Sequence, residues 1–373
     1  MLLLRILFLL SALILNIYTA YSQDIVKDEE EEGIQFIKQR GYSLEACYRM
    51  AEDYLRSNGK QRRAIPYLEY IIEADKDCDL KVLFMLAQSY YYNGQFDLAI
   101  NVISEYIEKE KNGKLKKVGK DELHKFENAL SLASSPGNVE LINLGPKINT
   151  KYAEVNPYVS VYENLLVYSS KRFKDYDVYV SKKRPYDSYW SKSKLAGKFV
   201  NTINDEFVAG LSSSGQNLFV HYNQVSGFED INMSYRTKGL YRELEDPGSK
   251  INSTYREEGA CISIMKDTLY FASDRPEGYG GFDIYYSLKL PEGDWGPPIN
   301  MGKTVNTEFD ENYPNLSPDG NKLYFASKGH NSIGGFDIFY TTFNKDAGIW
   351  NDPVNLGYPI NNAFDNKNIA FTE

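Results

Sequence analysis

The chain has 373 residues, with 42 Lys and Arg against 51 Asp and Glu and a formal net charge of −9. That length accommodates two domains, and the acidic balance argues against nucleic acid or an anionic membrane surface as partner. Three cysteines, Cys47, Cys78 and Cys261, form no CxxC spacing and give neither a disulfide framework nor a metal site. Cys47 and Cys78 both fall in a helical region, where a pairing stays open.

From the N-terminus, residues 1–22 read as a secretory signal peptide. Arg5 is the only early charge, Ile6 to Leu15 is an apolar core, and Ala20-Tyr21-Ser22 puts small residues at the two positions a signal peptidase reads. An uncleaved anchor is the alternative, but the run is shorter than the roughly 20 residues a span needs. The expected address is periplasmic, with no transmembrane segment after signal removal. Asp24 to Glu32 is an acidic leader.

From Gly33 to Ser134 the apolar spacing is helical. The clearest piece is Ala87, Tyr90, Gly94, Phe96 and Ala99, and an earlier copy lies at Ala51, Tyr54, Gly59 and Ala64, offset by 35 to 36 residues. Small residues let paired helices approach, and aromatics fill the gap to the next pair. The pattern resembles tetratricopeptide repeats. The first copy carries one extra residue in its turn, and Pro66 is tolerable in a first helical turn. Lys111 to Lys120 reads as a basic linker and Lys120 to Ala133 as a capping helix. The helical domain, 23–138, is expected to serve either as a partner-binding groove or as a brace packed against the C-terminal domain.

Residues 139–373 change to strand patterning and repeat. In the best copy, Glu311 to Tyr340, an extended run is followed by Ser317-Pro318-Asp319-Gly320, Leu323-Tyr324-Phe325-Ala326, a glycine pair and Phe336-Asp337-Ile338. This is the pattern of an antiparallel meander. The third-strand aspartates Asp177, Asp230, Asp283 and Asp337 recur at steps of 53, 53 and 54 residues. An asparagine heads a polar turn at Asn149, Asn201, Asn252, Asn306 and Asn361, with an aromatic eleven residues earlier at Trp190, Tyr241, Trp295 and Trp350. Four strands per period of about 53 residues fit a propeller blade, because one small sheet cannot bury both faces alone. The fold class expected is α+β multidomain: tetratricopeptide-like helical hairpins, then an all-β propeller of four complete blades and a partial fifth. The fifth repeat begins at Val354 and stops at Glu373. Either the chain is a truncated product, the preferred reading, or the leftover strand helps four blades to close.

The blades, with S-P-D-G, L-Y-F-A-S and G-G-F-D-I-Y, resemble TolB-type propeller repeats. The order signal, tetratricopeptide, TolB-type propeller resembles a family of envelope proteins, with members in type IX secretion, that end in an OmpA-like peptidoglycan-binding domain. That domain is missing here, so no peptidoglycan-binding residue carries over. The resemblance implies a scaffold linking outer-membrane machinery to the cell wall, with other envelope proteins as partners.

No nucleophile elbow, zinc, Walker or dinucleotide motif is present, and only three histidines exist, His124, His221 and His330. The chain is therefore read as no enzyme, with no cofactor and no metal. One constellation repeats: an acidic residue follows each asparagine turn, just before the innermost strand of each blade, at Glu154, Asp205-Glu206, Glu257-Glu258, Asp310-Glu311 and Asp365. These either form an acidic ring at the channel mouth, with Glu154, Glu206, Glu257 and Glu311 binding a cation or basic peptide, or accept backbone N–H bonds at the blade junctions, or are simply solvated. The four repeated aspartates are expected to accept turn and strand-junction bonds. Rival functions are a glycan- or small-ligand-binding envelope propeller, and an accessory propeller of a hydrolase whose catalytic domain lies beyond the stop.

Overall fold

The computed structural model describes residues 33–57, 59–140, 142–223 and 229–372. The signal-peptide reading and the acidic leader lie outside the described residues. Among the described residues six helices come first: α1 (Ile34–Arg40), α2 (Leu44–Arg56), α3 (Ile65–Ala74), α4 (Leu80–Tyr92), α5 (Phe96–Lys109) and α6 (Gly113–Ala133), with a 3-10 turn at Gln61–Ala64 before α3. Side-chain caps start three of them. Ser43 accepts from Ala46 N at 3.2 Å, Asp79 from Lys81 N at 2.8 Å, and Asn112 from Lys114 N at 3.0 Å.

The small residues of the repeat pattern do what the spacing requires. Ala51, Ala64, Ala87 and Ala99 are fully buried where helices cross, and Phe96 fills the gap beside them. Tyr54 is half-buried with its ring 5.8 Å from that of Tyr67, and Tyr90 is buried. Gly94 turns the α4–α5 hairpin with φ 75°, a conformation that costs glycine little.

One boundary differs from the sequence reading. Lys114 to Lys120 is not a linker but the first two turns of α6. The Asn112 cap starts the helix early, and lysine is a good helix former. Gly119 is buried, and a Cβ there would lie 2.9 Å from Tyr106 and Ile107, so α5 and α6 meet at this glycine. The open cysteine pairing is not made either: Cys47, Cys78 and Cys261 are free thiols.

Four antiparallel sheets follow. Blade 1 is β1 (Glu154–Val159), β2 (Leu165–Ser170), β3 (Asp177–Lys182) and β4 (Lys194–Leu195). Blade 2 is β5 (Glu206–Leu211), β6 (Asn217–Asn223), β7 (Glu229–Thr237) and β8 (Leu240–Tyr241). Blade 3 is β9 (Glu257–Ile262), β10 (Thr268–Ser273), β11 (Asp283–Leu288) and β12 (Ile299–Asn300). Blade 4 is β13 (Glu311–Leu316), β14 (Lys322–Ser327) and β15 (Asp337–Asn344), with β16 (Ile349–Trp350) and β17 (Val354–Asn355) both pairing with β15.

Aromatic pairs at one register position fill the wedges between blades. Tyr168 faces Tyr179, Phe271 faces Tyr285 and Phe325 faces Phe339, with ring centroids 6.0 to 6.1 Å apart. Blade 2 has Phe219 opposite Met233. Burying each large ring stabilises the stack by roughly 2–3 kcal/mol.

The inner strands β1, β5, β9 and β13 touch in turn. Residues 366–371 then lie between blade 4 and blade 1. Asn315 Nδ2 donates to Ile369 O at 2.6 Å, and Asn368 Nδ2 donates to Asn156 Oδ1 at 3.3 Å. Ile369 and Phe371 pack on Tyr324 and Ile338 of blade 4, while Ala370 packs with Tyr168 and Trp190 of blade 1. The partial fifth repeat thus supplies a fifth inner segment between the first and last complete blades.

Candidate functional site

The repeated polar residues hold the ring together from inside. Each glutamate at the head of an inner strand is buried, at 0 to 3% exposure. Glu257 accepts Ser253 N at 3.0 Å, Ser253 Oγ at 2.7 Å, Ser273 Oγ at 2.8 Å and Arg275 Nη2 at 2.9 Å. Glu311 accepts Thr307 N at 2.7 Å, Thr307 Oγ1 at 2.8 Å and Ser327 Oγ at 2.6 Å. Glu154 accepts Thr150 N at 3.2 Å and Thr150 Oγ1 at 2.5 Å, with Arg172 at 3.7 Å. Glu206 is bonded by Thr202 Oγ1, and Tyr222 stands opposite it where the other blades have serine. In the partial fifth repeat the same turn is tied by Asn366, whose Oδ1 accepts from Asn362 N at 2.9 Å. The four carboxylates therefore serve their own blades and do not line an open mouth.

Their environments differ. Arg172 and Arg275 stand two residues after the serines of blades 1 and 3. In blade 4 that place is Gly329, where a Cβ would lie 2.2 Å from Thr307 Oγ1, so an arginine does not fit. His330 follows and lies 2.9 Å from Val305 O, the carbonyl corresponding to Ile251 O that Arg275 contacts. It replaces that bond but not the charge. Burial then pushes Glu311 up to about 7 against its hydroxyl and amide donors, and burial does the same to Glu206.

The turn asparagines have a second role. Asn201, Asn252, Asn306 and Asn361 each exchange two bonds with the backbone of one third-strand residue, Val178, Ile231, Ile284 and Ile338 respectively. The side-chain amide stands in for a further strand residue. Asn149, with no complete blade before it in sequence, bonds Asn143 instead.

Of the third-strand aspartates, Asp283 and Asp337 are fully buried and tie the glycine loops. Asp283 accepts from Tyr279 N at 2.7 Å, Gly280 N at 3.1 Å and Asn300 Nδ2 at 2.7 Å. Asp337 accepts from Ile333 N at 2.7 Å and Asn355 Nδ2 at 3.0 Å, and burial pushes it up to about 7. Asp177 and Asp230 are half-buried, and desolvation raises both.

A separate set of aspartates joins neighbouring blades. Asp205 accepts from Tyr176 N at 2.6 Å, Asp310 from Phe282 N at 3.0 Å and Asp365 from Phe336 N at 3.1 Å. The glycine pairs permit this approach: a Cβ at Gly281 would lie 2.0 Å from Asp310, and at Gly335 1.9 Å from Asp365.

Two further groups of residues are not placed by the sequence, although a helical brace packed against the propeller is one of its two expectations. The first is on the propeller, where His221 is buried, stacks on Phe207 at 5.3 Å and is held neutral, its pKa lowered to about 4. Nearby Glu229 is raised by burial, with His221 and Glu258 close by, and Asn312 Nδ2 bonds Glu258 at 2.7 Å. Nothing in the spacing places these residues together, because they come from three different blades. His124 is exposed on α6, away from this group. Among the described residues no cluster of His, Cys, Asp or Glu could hold a metal ion.

The second is the junction between helices and propeller. Ile333 and Ala363 of the propeller are buried within the helical core. Tyr91 stacks on Phe126 at 4.6 Å and donates its hydroxyl to Ile333 O, while Asn128 Nδ2 donates to Asn331 O and Ser332 O, both at 2.8 Å. Tyr92 meets Phe364 at 5.4 Å, and Gly137 N donates to Tyr358 O at 2.7 Å. Among the described residues no helix is long and apolar enough to cross a membrane.

Fold and junction together define a class: helical hairpins fixed to one side of a small propeller. No family model and no curated protein matches the chain. Among solved structures it is similar to TolB from Acinetobacter baumannii, at 15% identity and TM-score 0.39, covering 57% of this chain and 45% of that one. A putative TolB from Agrobacterium tumefaciens gives 17% and 0.38, covering 59% and 71%, and a thermostable family-43 glycoside hydrolase gives 13% and 0.38, covering 58% and 76%. The chain thus spans less than half the length of the first of these, and likeness at this level says nothing about activity.

Proposed function

We propose that the protein is a non-catalytic scaffold of the cell envelope, acting on the periplasmic side and presenting helical and propeller surfaces to other envelope proteins. The buried junction of Tyr91, Phe126 and Asn128 against residues 331–333 carries this reading. It fixes two surfaces at one relative orientation, which suits an adaptor. The repeated polar residues support the same view, since the hub and clamp bonds spend them on architecture. The leader sequence and the resemblance to TolB-type envelope proteins support the address and a link to outer-membrane or type IX secretion machinery.

The test uses the full chain. Cross-linking in intact envelopes is expected to give discrete protein partners. A panel of glycosides, esters and lactones is expected to show no turnover. Turnover abolished by His221→Ala or Glu229→Gln in a folded variant would replace the scaffold by an enzyme.

A further inference from the structure

The net charge of −9 conceals an uneven distribution. From Thr150 to Asn201, blade 1 has ten basic against five acidic residues, a net of +5. The next three repeats, each counted to its closing asparagine, have four against seven, five against eight and three against seven, so all three are negative.

The excess lies at the surface. Lys171, Lys174, Lys182, Lys192, Lys194 and Lys198 are exposed, and none of the six belongs to an ion pair among the described residues. Most of the acids beside them are engaged: Glu163 with Lys183 at 2.6 Å, Asp187 with Arg184 at 3.0 Å, and Glu154 buried in its hub. Large aromatics project between the cations, with Tyr186 99%, Phe173 76% and Tyr189 75% exposed.

Topology arranges these residues in a line. Lys171, Phe173 and Lys174 lie on the β2–β3 loop, and Tyr186 and Tyr189 on the β3–β4 loop, at opposite ends of the six-residue strand β3. Lys192, Lys194 and Lys198 follow the outer edge at β4 between them. The stripe is about 20 Å long, the span of about six extended residues. Lysine on an edge strand also discourages sheet-to-sheet aggregation. That explanation would apply equally to β8, β12, β16 and β17, and none of those strands contains Lys or Arg.

We propose that the outer edge of blade 1 binds an extended acidic segment of a partner polypeptide, with carboxylates on the lysine stripe and side chains against the exposed tyrosines. Unpaired cations in a line complement a linear anion, and exposed tyrosine supplies contact area at low entropic cost. The proposal rests on the scaffold reading and names the chemistry of one partner.

The test is fluorescence anisotropy of a labelled peptide with six consecutive glutamates, titrated with the full chain at low and at physiological ionic strength. Binding that weakens with salt is expected. Lys182→Gln/Lys192→Gln/Lys194→Gln should weaken it about tenfold, and Tyr186→Ser/Tyr189→Ser should weaken it without changing the salt dependence. Lys114→Gln/Lys116→Gln/Lys117→Gln, on α6, should leave it unchanged. Circular dichroism confirms that each variant is folded. Equal binding by the blade 1 triple variant, or no peptide binding, overturns the proposal. So does tight binding to phosphatidylglycerol vesicles without peptide binding. If peptide binding fails while the same partners cross-link to wild type and triple variant, the stripe is refuted and the scaffold reading stands.

Discussion

Glu311 shows how one substitution resets a buried group. Where blades 1 and 3 place an arginine beside the hub, blade 4 has Gly329-His330, and burial pushes the Glu311 carboxyl up to about 7. Glu206 and Asp337 are raised to about the same value, also by burial. In each case the folded state holds a proton that the unfolded state has released above its ordinary carboxylate pKa. The stability this contributes is present below about pH 4.5 and is lost as pH rises through 7. His221 acts in the opposite sense: lowered to about 4, it contributes stability that is lost as pH falls from about 6.5 towards 4. Three raised carboxyls outweigh one histidine, so these groups make stability decline between pH 5 and 7. Glu311→Gln should flatten that decline and stabilise the protein at pH 8 by about 2 kcal/mol. Urea titrations across this range check it, and an unchanged pH profile counts against the hub account. At Gly210, a Cβ would lie 1.7 Å from Ala260 O, where β5 meets β9. Gly210→Ala should cost about 3 kcal/mol in the same assay, and a cost below about 1 kcal/mol would mean the inner strands are not so closely packed.

At the scale of elements, the asparagine clamps join each third strand to the turn that leads into the next blade. Asn306→Ala removes two bonds to Ile284 and leaves its buried N–H and C=O short of partners. A loss of about 2 kcal/mol is expected. Asn149→Ala, which breaks only a bond to Asn143, should cost less; equal losses would argue that the clamp contributes nothing specific. The asparagine was legible in the sequence as a period marker, yet its partner was not, because Asn306 and Ile284 are 22 residues apart and the bond is to backbone. The glutamate spacing was legible in the same way. Its role depends on a threonine or serine four residues earlier and a serine sixteen residues later, so burial could not be read from the glutamate alone. The start of α6 was hidden for a different reason: a lysine-rich run with two glycines has a linker's composition, and only packing at Gly119 and the Asn112 cap show it to be helical.

For the molecule as a whole, the repeat period announced the propeller, because strand length and turn chemistry are local. The charge of blade 1 was lost in the average, since three negative blades and an acidic leader mask it. The packing of helices against the propeller was one of two expectations, but its residues were not legible, as they join α4 and α6 to positions more than 200 residues away. That junction makes the helices and the propeller one body, and it can be tested directly. All three tryptophans, Trp190, Trp295 and Trp350, are in the propeller, while helices dominate the far-ultraviolet dichroism at 222 nm. Urea unfolding followed by both signals should give coincident transitions for the wild type, and Tyr91→Ala/Asn128→Ala should separate them. Two distinct transitions in the wild-type protein would contradict the account.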